Sequence, residues 1–327
     1  MLWLSACAQD SDMADNNISI IASEEEQKVE VFFNGEIFTS YLYSENLKKP
    51  ILYPLKIAGG TDLTRGFPFD PRPGERTDHP HQAGLWFNYG DVNGLDFWNN
   101  SDAVPDDRKD QYGTIIHKEI NDIRNGEDRG ELDVSMEWVN SNGEILLTEN
   151  TVFVFSNSEN TRIIDRITKL TATDSNVSLK DNKEGVLGIR VARELEHPES
   201  ESDTGLTGLY RSSEGLEGDD VWGTRGKWVK LSGVIHNQEV SVSILDHSEN
   251  AGYPTYWHAR GYGLFAANPL GQEEMSGGVD QLNYELAAGE SATFKYRIII
   301  SSDSSFSDEQ MNEYWDEFND EYQGISL

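Results

Sequence analysis

The chain has 327 residues, of which 58 are acidic and 26 are basic, so its formal net charge at pH 7 is −32. This charge excludes nucleic acid as a general partner, because phosphate binding requires the opposite sign. A hydrophobic fraction of 37% with eight Trp, thirteen Tyr and thirteen Phe excludes global disorder. We attribute the acidity to solubility in a salt-rich environment, where ions screen self-repulsion.

The N-terminal segment ends in Leu4-Ser5-Ala6-Cys7, and Cys7 is the one cysteine of the sequence. This pattern resembles the lipobox of a bacterial lipoprotein, whose cysteine carries the lipid. An ordinary apolar N-terminus is the alternative, since the run before Cys7 is short. We predict a signal remnant and tether over 1–24 and a location in the bacterial cell envelope, on the outer membrane or periplasmic face. Contact with the membrane would be through the lipid anchor alone, because no later segment is apolar and long enough to span it.

The remaining residues, 25–327, are predicted to form a single β domain. Lys28 to Phe33 alternates between apolar and polar residues and meets Asn34-Gly35, a strong hairpin signal. Further runs with strand-like alternation cover 37–43, 113–120, 130–139, 144–155, 161–171, 185–191, 228–234, 240–245, 261–267 and 292–300. One helix is predicted from Ser307 to Phe318. The expected fold is all-β, a large antiparallel β-sandwich with a short C-terminal helix.

Residues 77–98 form the densest cluster of reactive side chains, reached through a Gly/Pro-rich connection. Asp78-His79-Pro80-His81 places two imidazoles two positions apart, and these groups suit acid–base chemistry near neutral pH. With a third ligand from elsewhere, His79 and His81 could instead hold a divalent metal. In a purely structural alternative, Asp78 orients one histidine within a buried hydrogen-bond network.

The same cluster contains a predicted turn at Asn93-Gly94, flanked by Asp91 and Asp96. We predict that Asp91 binds the substrate and that the Trp86 ring stacks on the substrate. The alternative is a hairpin with solvated carboxylates and core tryptophans.

Lys183 and Glu184 precede an apolar strand that carries Arg190 at a position where a core residue is expected. Charged residues are seldom buried without a partner or a function. We therefore predict that Glu184 is a catalytic acid or base, while Lys183 and Arg190 bind substrate. An internal salt bridge among these residues is the alternative.

Trp222 and Trp228 flank a cation in Trp-Gly-Thr-Arg-Gly-Lys-Trp. Aromatic faces pack against the C–H faces of sugars, while sugar hydroxyls need charged or amide partners. We predict that Trp222 is a stacking residue.

A second reactive segment begins with Asp246-His247 and continues to Trp257-His258-Ala-Arg260. On an alternating strand, His258 and Arg260 share one face and Trp257 takes the other. We expect this segment and the 77–98 cluster to form one site, with Trp257 stacking on substrate and Arg260 binding it.

Four ordered motifs resemble the bacterial PmoA-like family over residues 50–300: DHPHQAGLWFNYGDVNGLDFW, DNKEGVLGIRVA, WGTRGKWVKLSG and ILDHSENAGYPTYWHARGYGLFAANPLG. The resemblance implies a soluble β-rich protein of polysaccharide-degrading bacteria. A membrane copper monooxygenase subunit, as the family name suggests, would need transmembrane helices. The family usually has His-His-Arg after the proline, where this chain has His81-Gln82-Ala83. Residues 286–297 also resemble the closing strand of galactose-mutarotase-like supersandwiches, which implies that fold.

Taken together, these patterns predict a cell-envelope enzyme that cleaves a glycosidic bond in a poly- or oligosaccharide. The catalytic candidates are His79, His81, Glu184, Asp246, His247 and His258. The substrate-binding candidates are Asp78, Trp86, Asp91, Lys183, Arg190, Trp222, Trp257 and Arg260. One alternative is a non-catalytic carbohydrate-binding lipoprotein, and another is a histidine-ligated metal-dependent oxygenase, lyase or epimerase. The sequence does not identify a cofactor, and a divalent metal is the one candidate.

Overall fold

A computed structural model describes residues 17–158, 160–200, 202–302 and 306–327. Its strands, in chain order, are β1 (Ile18–Ser23), β2 (Lys28–Phe33), β3 (Glu36–Leu42), β4 (Ile51–Leu52), β5 (Leu85–Tyr89), β6 (Thr114–Arg124), β7 (Arg129–Val139), β8 (Ile145–Ser158), β9 (Thr161–Ala172), β10 (Val177–Leu179), β11 (Gly185–Arg190), β12 (Leu209–Ser212), β13 (Trp228–Ile235), β14 (Gln238–Asp246), β15 (Tyr256–Arg260), β16 (Leu264–Asn268), β17 (Tyr284–Leu286) and β18 (Ser291–Ser301). The α-helices are α1 (Gln272–Ser276) and α2 (Asp308–Glu321), and short 3₁₀ turns cover Asp106–Gln111, Arg193–Leu195 and Gly218–Val221.

Two eight-stranded antiparallel sheets make up most of the fold. The first sheet has the order β1-β2-β3-β4-β5-β11-β16-β15, and the second has the order β12-β13-β14-β18-β9-β8-β7-β6. A small additional sheet pairs β10 with β17. One continuous apolar core lies between the two large sheets and draws on both. The predicted all-β antiparallel sandwich with a C-terminal helix is confirmed.

The β2–β3 hairpin shows how local sequence determines the first sheet. Asn34 and Gly35 both have positive φ, 54° and 80°, as a two-residue turn between right-twisted strands requires. In β2, Val29, Val31 and Phe33 are buried in the core and alternate with more exposed residues. The predicted hairpin is therefore present.

The N-terminal prediction needs a correction. Residues 18–23 belong to the sheet and not to a tether, because β1 pairs in full with β2. Ile18 and Ile20 are buried in the main core, which provides the driving force for this pairing. Cys7 and the predicted lipobox lie outside the described residues, so the lipid anchor stays a prediction.

Helix α2 covers the outer face of the second sheet. Ser307 caps its N-terminus through a capping box with Gln310. Met311 and Phe318 are buried in a separate apolar cluster with Leu245 and Ile299 of the sheet. Among the described residues, no helix combines the length and the apolar character that crossing a membrane would demand.

The outer face of the first sheet carries the site. Paired residues of β5, β11, β16 and β15 form a row of Trp86, Gly188, Ala266 and His258 across this face. A Cβ atom at Gly188 would lie 2.6 Å from Cζ2 of Trp86, so only glycine lets the indole lie flat on β11. The long connections before and after β5 pack over this face, which explains why β5 and β11 are buried on both sides.

Candidate functional site

Two buried arginines hold the loop that precedes β5. Oδ1 of Asp78 lies 3.1 Å from Nη1 of Arg65 and 3.2 Å from Nη2 of Arg190. Arg65 also donates to the carbonyl oxygens of Asp78, His79 and Gln82 at 2.9–3.0 Å. Both arginine side chains are almost fully buried, and burial lowers the pKa of each. Asp78 is thus the carboxylate that compensates two buried cations.

His79 and His81 lie together, as predicted, but in different environments. The His79 ring stacks on Tyr262, with centroids 5.4 Å apart, and its backbone φ is 47°, a conformation uncommon outside glycine. The His81 ring is 5.6 Å away, and its buried Nε2 has no partner. Burial, aided by the Lys49 ammonium, lowers the pKa of His81 to about 2. His81 is therefore neutral at neutral pH and not suited to act as a general acid.

Lys49 is a buried cation beside this loop that the sequence did not indicate. Its Nζ donates to the carbonyl oxygen of His81 at 2.8 Å and lies 5.6 Å from the centroid of Trp86. Burial lowers the pKa of Lys49 to about 7, and the negative charge of Asp96 opposes that shift.

Glu184 and His258 form the centre of the site. Oε2 of Glu184 is 3.9 Å from Nδ1 of His258, and Lys183 Nζ is 3.6 Å from Oε1. His258 Nδ1 is also 2.8 Å from the carbonyl oxygen of Lys183, which orients the ring. Burial lowers the pKa of His258 to about 4 and raises the pKa of Glu184. Of these two groups, the carboxyl of Glu184 is therefore the one whose environment favours the protonated form.

Asp96 is a second carboxyl group of this site. The sequence predicts Asp91, and not Asp96, as the substrate-binding carboxylate of this segment. The charge of Asp96 contributes to the raised pKa of Glu184 and acts on Lys49, so Asp96 lies within electrostatic range of both residues. Burial raises the pKa of Asp96 itself, although Asn99 donates two hydrogen bonds to its carboxylate. Asp91, in contrast, accepts from the backbone N–H of Gly94 and stabilises the turn.

The Arg260 cavity, a space of about 350 Å³, lies at the end of β15, two positions beyond His258. The guanidinium of Arg260 lies between the rings of Trp222 and Tyr262, 5.4 and 5.9 Å from their centroids. Trp222 is 37% exposed, so its ring offers a free surface. Asp219 and His197 contribute polar atoms to the lining. Among the described residues, Arg260 makes no ion pair, although the chain has an excess of acidic residues.

Asp246 and His247 do not join the site, which corrects the prediction of a single acid–base group. The reason is topological, since β14 ends at Asp246 in the second sheet whereas β15 belongs to the first. Asp246 is fully buried and accepts from Asn250 and Thr255, and His247 lies against α2, with Nε2 3.1 Å from the Asn319 carbonyl oxygen. Their contacts are those of structural residues.

Two of the predicted stacking residues are also inaccessible. Trp257 faces the main core and donates to the carbonyl oxygen of Gly226. Trp86 is fully buried beside Trp98, with ring centroids 5.2 Å apart. Neither indole offers a free face to a ligand, so Trp222 is the predicted stacking residue whose ring is exposed.

The described residues contain no group of three or more His, Cys, Asp or Glu side chains arranged to hold a metal ion. His79 and His81 are adjacent, but Oδ1 of Asp78 is shared by two arginines and Oδ2 lies 3.2 Å from Nδ1 of His79. The residues in place therefore do not fit the predicted histidine-ligated metal.

Several site residues were missed for a common reason. Each of them acts through a partner that is distant in sequence, and a local sequence pattern does not show which distant residues come into contact. These residues are Arg65, Tyr262, Lys49 and Asp96. For Asp96 a signal existed, because it lies in the same reactive segment as Asp91.

Residues 28–316 match the model of a family described as a family of unknown function, DUF6807. The match covers most of the chain, which therefore belongs to this family. No curated protein matches the sequence. The PmoA-like resemblance stays a prediction.

Several solved structures resemble the fold at low sequence identity. The galactosidase domain of the α-galactosidase–sucrose kinase AgaSK has a TM-score of 0.47 and 11% identity, over 88% of this chain and 42% of that chain. The α-galactosidase AgaB from Geobacillus stearothermophilus has a TM-score of 0.44 and 10% identity, over 88% and 41%. The α-galactosidase from Lactobacillus brevis has a TM-score of 0.43 and 9% identity, over 88% and 40%. This chain thus spans about two fifths of the length of these structures.

Proposed function

We propose that this member of the DUF6807 family binds a carbohydrate on the outer face of its first sheet and cleaves a glycosidic bond there. The observation that carries the proposal is the position of Glu184, a carboxyl with a raised pKa, close enough to Arg260 to feel its charge. A carboxyl group that favours its protonated form thus lies within electrostatic range of Arg260 and Tyr262, which line a cavity with one exposed aromatic face and several polar groups. Sugars need both kinds of surface.

Recognition is assigned to the Arg260 cavity. The exposed ring of Trp222 suits the C–H face of a sugar, while Arg260 and Asp219 provide a donor and an acceptor for its hydroxyls. Arg260 needs no rearrangement to bind, because two aromatic rings already hold its guanidinium in place.

Catalysis is assigned to Glu184 as the general acid that protonates the leaving oxygen. Glycoside hydrolysis requires a second carboxyl across the bond, as base or nucleophile, and Asp96 is the candidate because its charge acts on Glu184. His258 and Lys183 then have a positioning role, since His258 holds the Lys183 carbonyl group and Lys183 pairs with Glu184.

The test is incubation of the purified protein with a panel of neutral and uronic-acid polysaccharides, followed by measurement of released reducing ends. For any polymer that is cleaved, Glu184→Gln should reduce the rate by at least about a hundredfold, because general acid catalysis contributes that much. Glu119→Gln is the matched control, since Glu119 is exposed on β6 of the second sheet, and it should keep the wild-type rate.

Two results would contradict the proposal in different ways. If Glu184→Gln cleaves as fast as wild type, then another group is the acid. If polysaccharide binds but no reducing ends appear under any condition, the protein is a carbohydrate-binding protein without hydrolytic activity.

A further inference from the structure

We infer that the substrate is a polymer that lies across the first sheet, over three consecutive cavities, and not a mono- or disaccharide. This inference rests on the proposed function and specifies its substrate class. The Arg260 cavity is one of the three. The other two are the Phe69 cavity, about 220 Å³ and lined by Phe69, His81 and Ala83, and the Tyr43 cavity, about 380 Å³ and lined by Tyr43 and His117.

The three cavities are adjacent, since neighbouring cavities share lining residues or are separated by a few packed side chains. Leu47 and Lys49 line both the Tyr43 cavity and the Phe69 cavity. On the other side, His81 of the Phe69 cavity is 5.6 Å from His79, measured between ring centroids. The His79 ring stacks on Tyr262, which lines the Arg260 cavity. We define the groove as these three cavities together.

Strand register places the Phe69 cavity and the Arg260 cavity on a single line. Leu52, Leu85, Ile189, Phe265 and Ala259 are paired in sequence across β4, β5, β11, β16 and β15. Residues lining the Phe69 cavity and the Arg260 cavity lie next to this row, at its opposite ends. The Tyr43 cavity lies beyond β4 at the edge of the first sheet, between the segment that follows β3 and Thr114 to His117 of β6. The four inter-strand spacings from β4 to β15 alone give a length of about 19 Å, far longer than a single sugar ring.

Each cavity also has an aromatic residue suited to a separate sugar ring. Phe69 is 43% exposed and Trp222 is 37% exposed, so each presents ring surface to the solvent at its cavity. In the Tyr43 cavity, the Tyr43 ring is held by His117, with centroids 4.1 Å apart. Aromatic surfaces repeated along a line match a repeating ligand, since each ring of a polysaccharide has a C–H face.

The experiment measures how affinity depends on chain length. Dimers, tetramers, hexamers and octamers of xylose, of glucose in β-1,4 linkage and of galacturonic acid are titrated against the full chain, with intrinsic tryptophan fluorescence or calorimetry as the readout. In the series that binds, the octamer should bind at least roughly tenfold more tightly than the dimer, because it occupies additional aromatic surfaces.

Variants assign the extra affinity to the groove. Phe69→Ala and Tyr43→Ala should each reduce the ratio of octamer affinity to dimer affinity by roughly fivefold. Tyr43→Phe retains the ring and should leave this affinity ratio unchanged. Phe69 is exposed, so its loss does not threaten folding, and thermal unfolding of each variant checks this point.

The outcomes separate this inference from the function on which it rests. A dimer that binds or is cleaved as well as the octamer overturns the polymer groove and leaves carbohydrate activity in place. An octamer advantage that neither alanine variant reduces also overturns the groove. If no saccharide of any length binds, the proposed function fails and the groove fails with it.

Discussion

Oδ1 of Asp78 lies 3.2 Å from Nη2 of Arg190, and this contact joins the loop before β5 to the end of β11. Arg190 is fully buried, and its guanidinium also lies 4.7 Å from the centroid of Tyr262. The ring on which His79 stacks is therefore held by the same arginine that holds the loop. The Asp78–Arg190 ion pair thus connects the loop to the aromatic wall of the site.

Replacement of Asp78 by alanine should destabilise the protein, because it leaves Arg65 and Arg190 without their carboxylate. The Asp78 side chain is 40% exposed, so we discount the value for a fully buried pair and expect a loss of about 2 kcal/mol in the free energy of unfolding. Urea unfolding measures this loss. Asp70→Ala, an exposed site in the same loop, is the control and should be close to neutral.

Gly188→Ala should disturb the two tryptophans on the outer face. The added Cβ would lie 2.6 Å from Cζ2 of Trp86 and 3.0 Å from Cη2 of Trp98. Overpacking of this kind costs about 1–3 kcal/mol, and the near-ultraviolet circular dichroism of the indoles should change. Adding Trp86→Phe should recover part of the loss because a smaller ring leaves room. A single variant with wild-type stability would show that the face is loosely packed.

Asp246 should make stability depend on pH. Burial raises its pKa in the folded state from 3.8 to about 7. As pH rises through this window, the unfolded chain releases the proton first, so the stability that Asp246 contributes in acid is lost between about pH 4 and pH 7. Asp246→Asn should remove this part of the slope, although it weakens a hydrogen bond. Parallel slopes for wild type and variant would mean that Asp246 is ionised in the folded protein.

Lys183 should control the alkaline limit of activity. Its ammonium, 3.6 Å from Glu184, opposes the effect of burial and holds the pKa of Glu184 below the value it would otherwise reach. Lys183→Met should therefore raise that pKa further and move the alkaline limb of the pH–rate profile to higher pH. Lys118→Met, on β6, is the control. A shift in the opposite direction would exclude Glu184 as the acid.

Several strands could be predicted because one face of each is exposed to solvent and the other packs against the core. Strands β2 and β7 and most of β8 alternate in this way. Strand β9 does not, because helix α2 covers the outer face of its sheet. In β5 every residue is buried, because loops cover its outer face, so no alternation marked it as a strand. Helix α2 could be predicted because its cap and apolar positions are local features.

The site was only partly predictable. The alternation of β15 correctly placed His258 and Arg260 on one face and Trp257 on the other. Asp246 and His247 are near them in sequence but belong to the other sheet, and sequence distance does not reveal a change of sheet. The partners of Asp78 and His79 are determined by tertiary packing. Hydrophobic periodicity and secondary-structure propensity carry no information about such contacts.

Helix α2 gives the molecule a back and a front, and this has a practical consequence for immobilisation. The helix closes the outer face of the second sheet, whereas the groove crosses the outer face of the first. Glu313 is exposed on α2, so a cysteine placed there offers a point of chemical attachment remote from the groove. With Cys7 changed to serine, a sensor surface coupled through Glu313→Cys would present every molecule in one orientation, with the groove turned towards the solution.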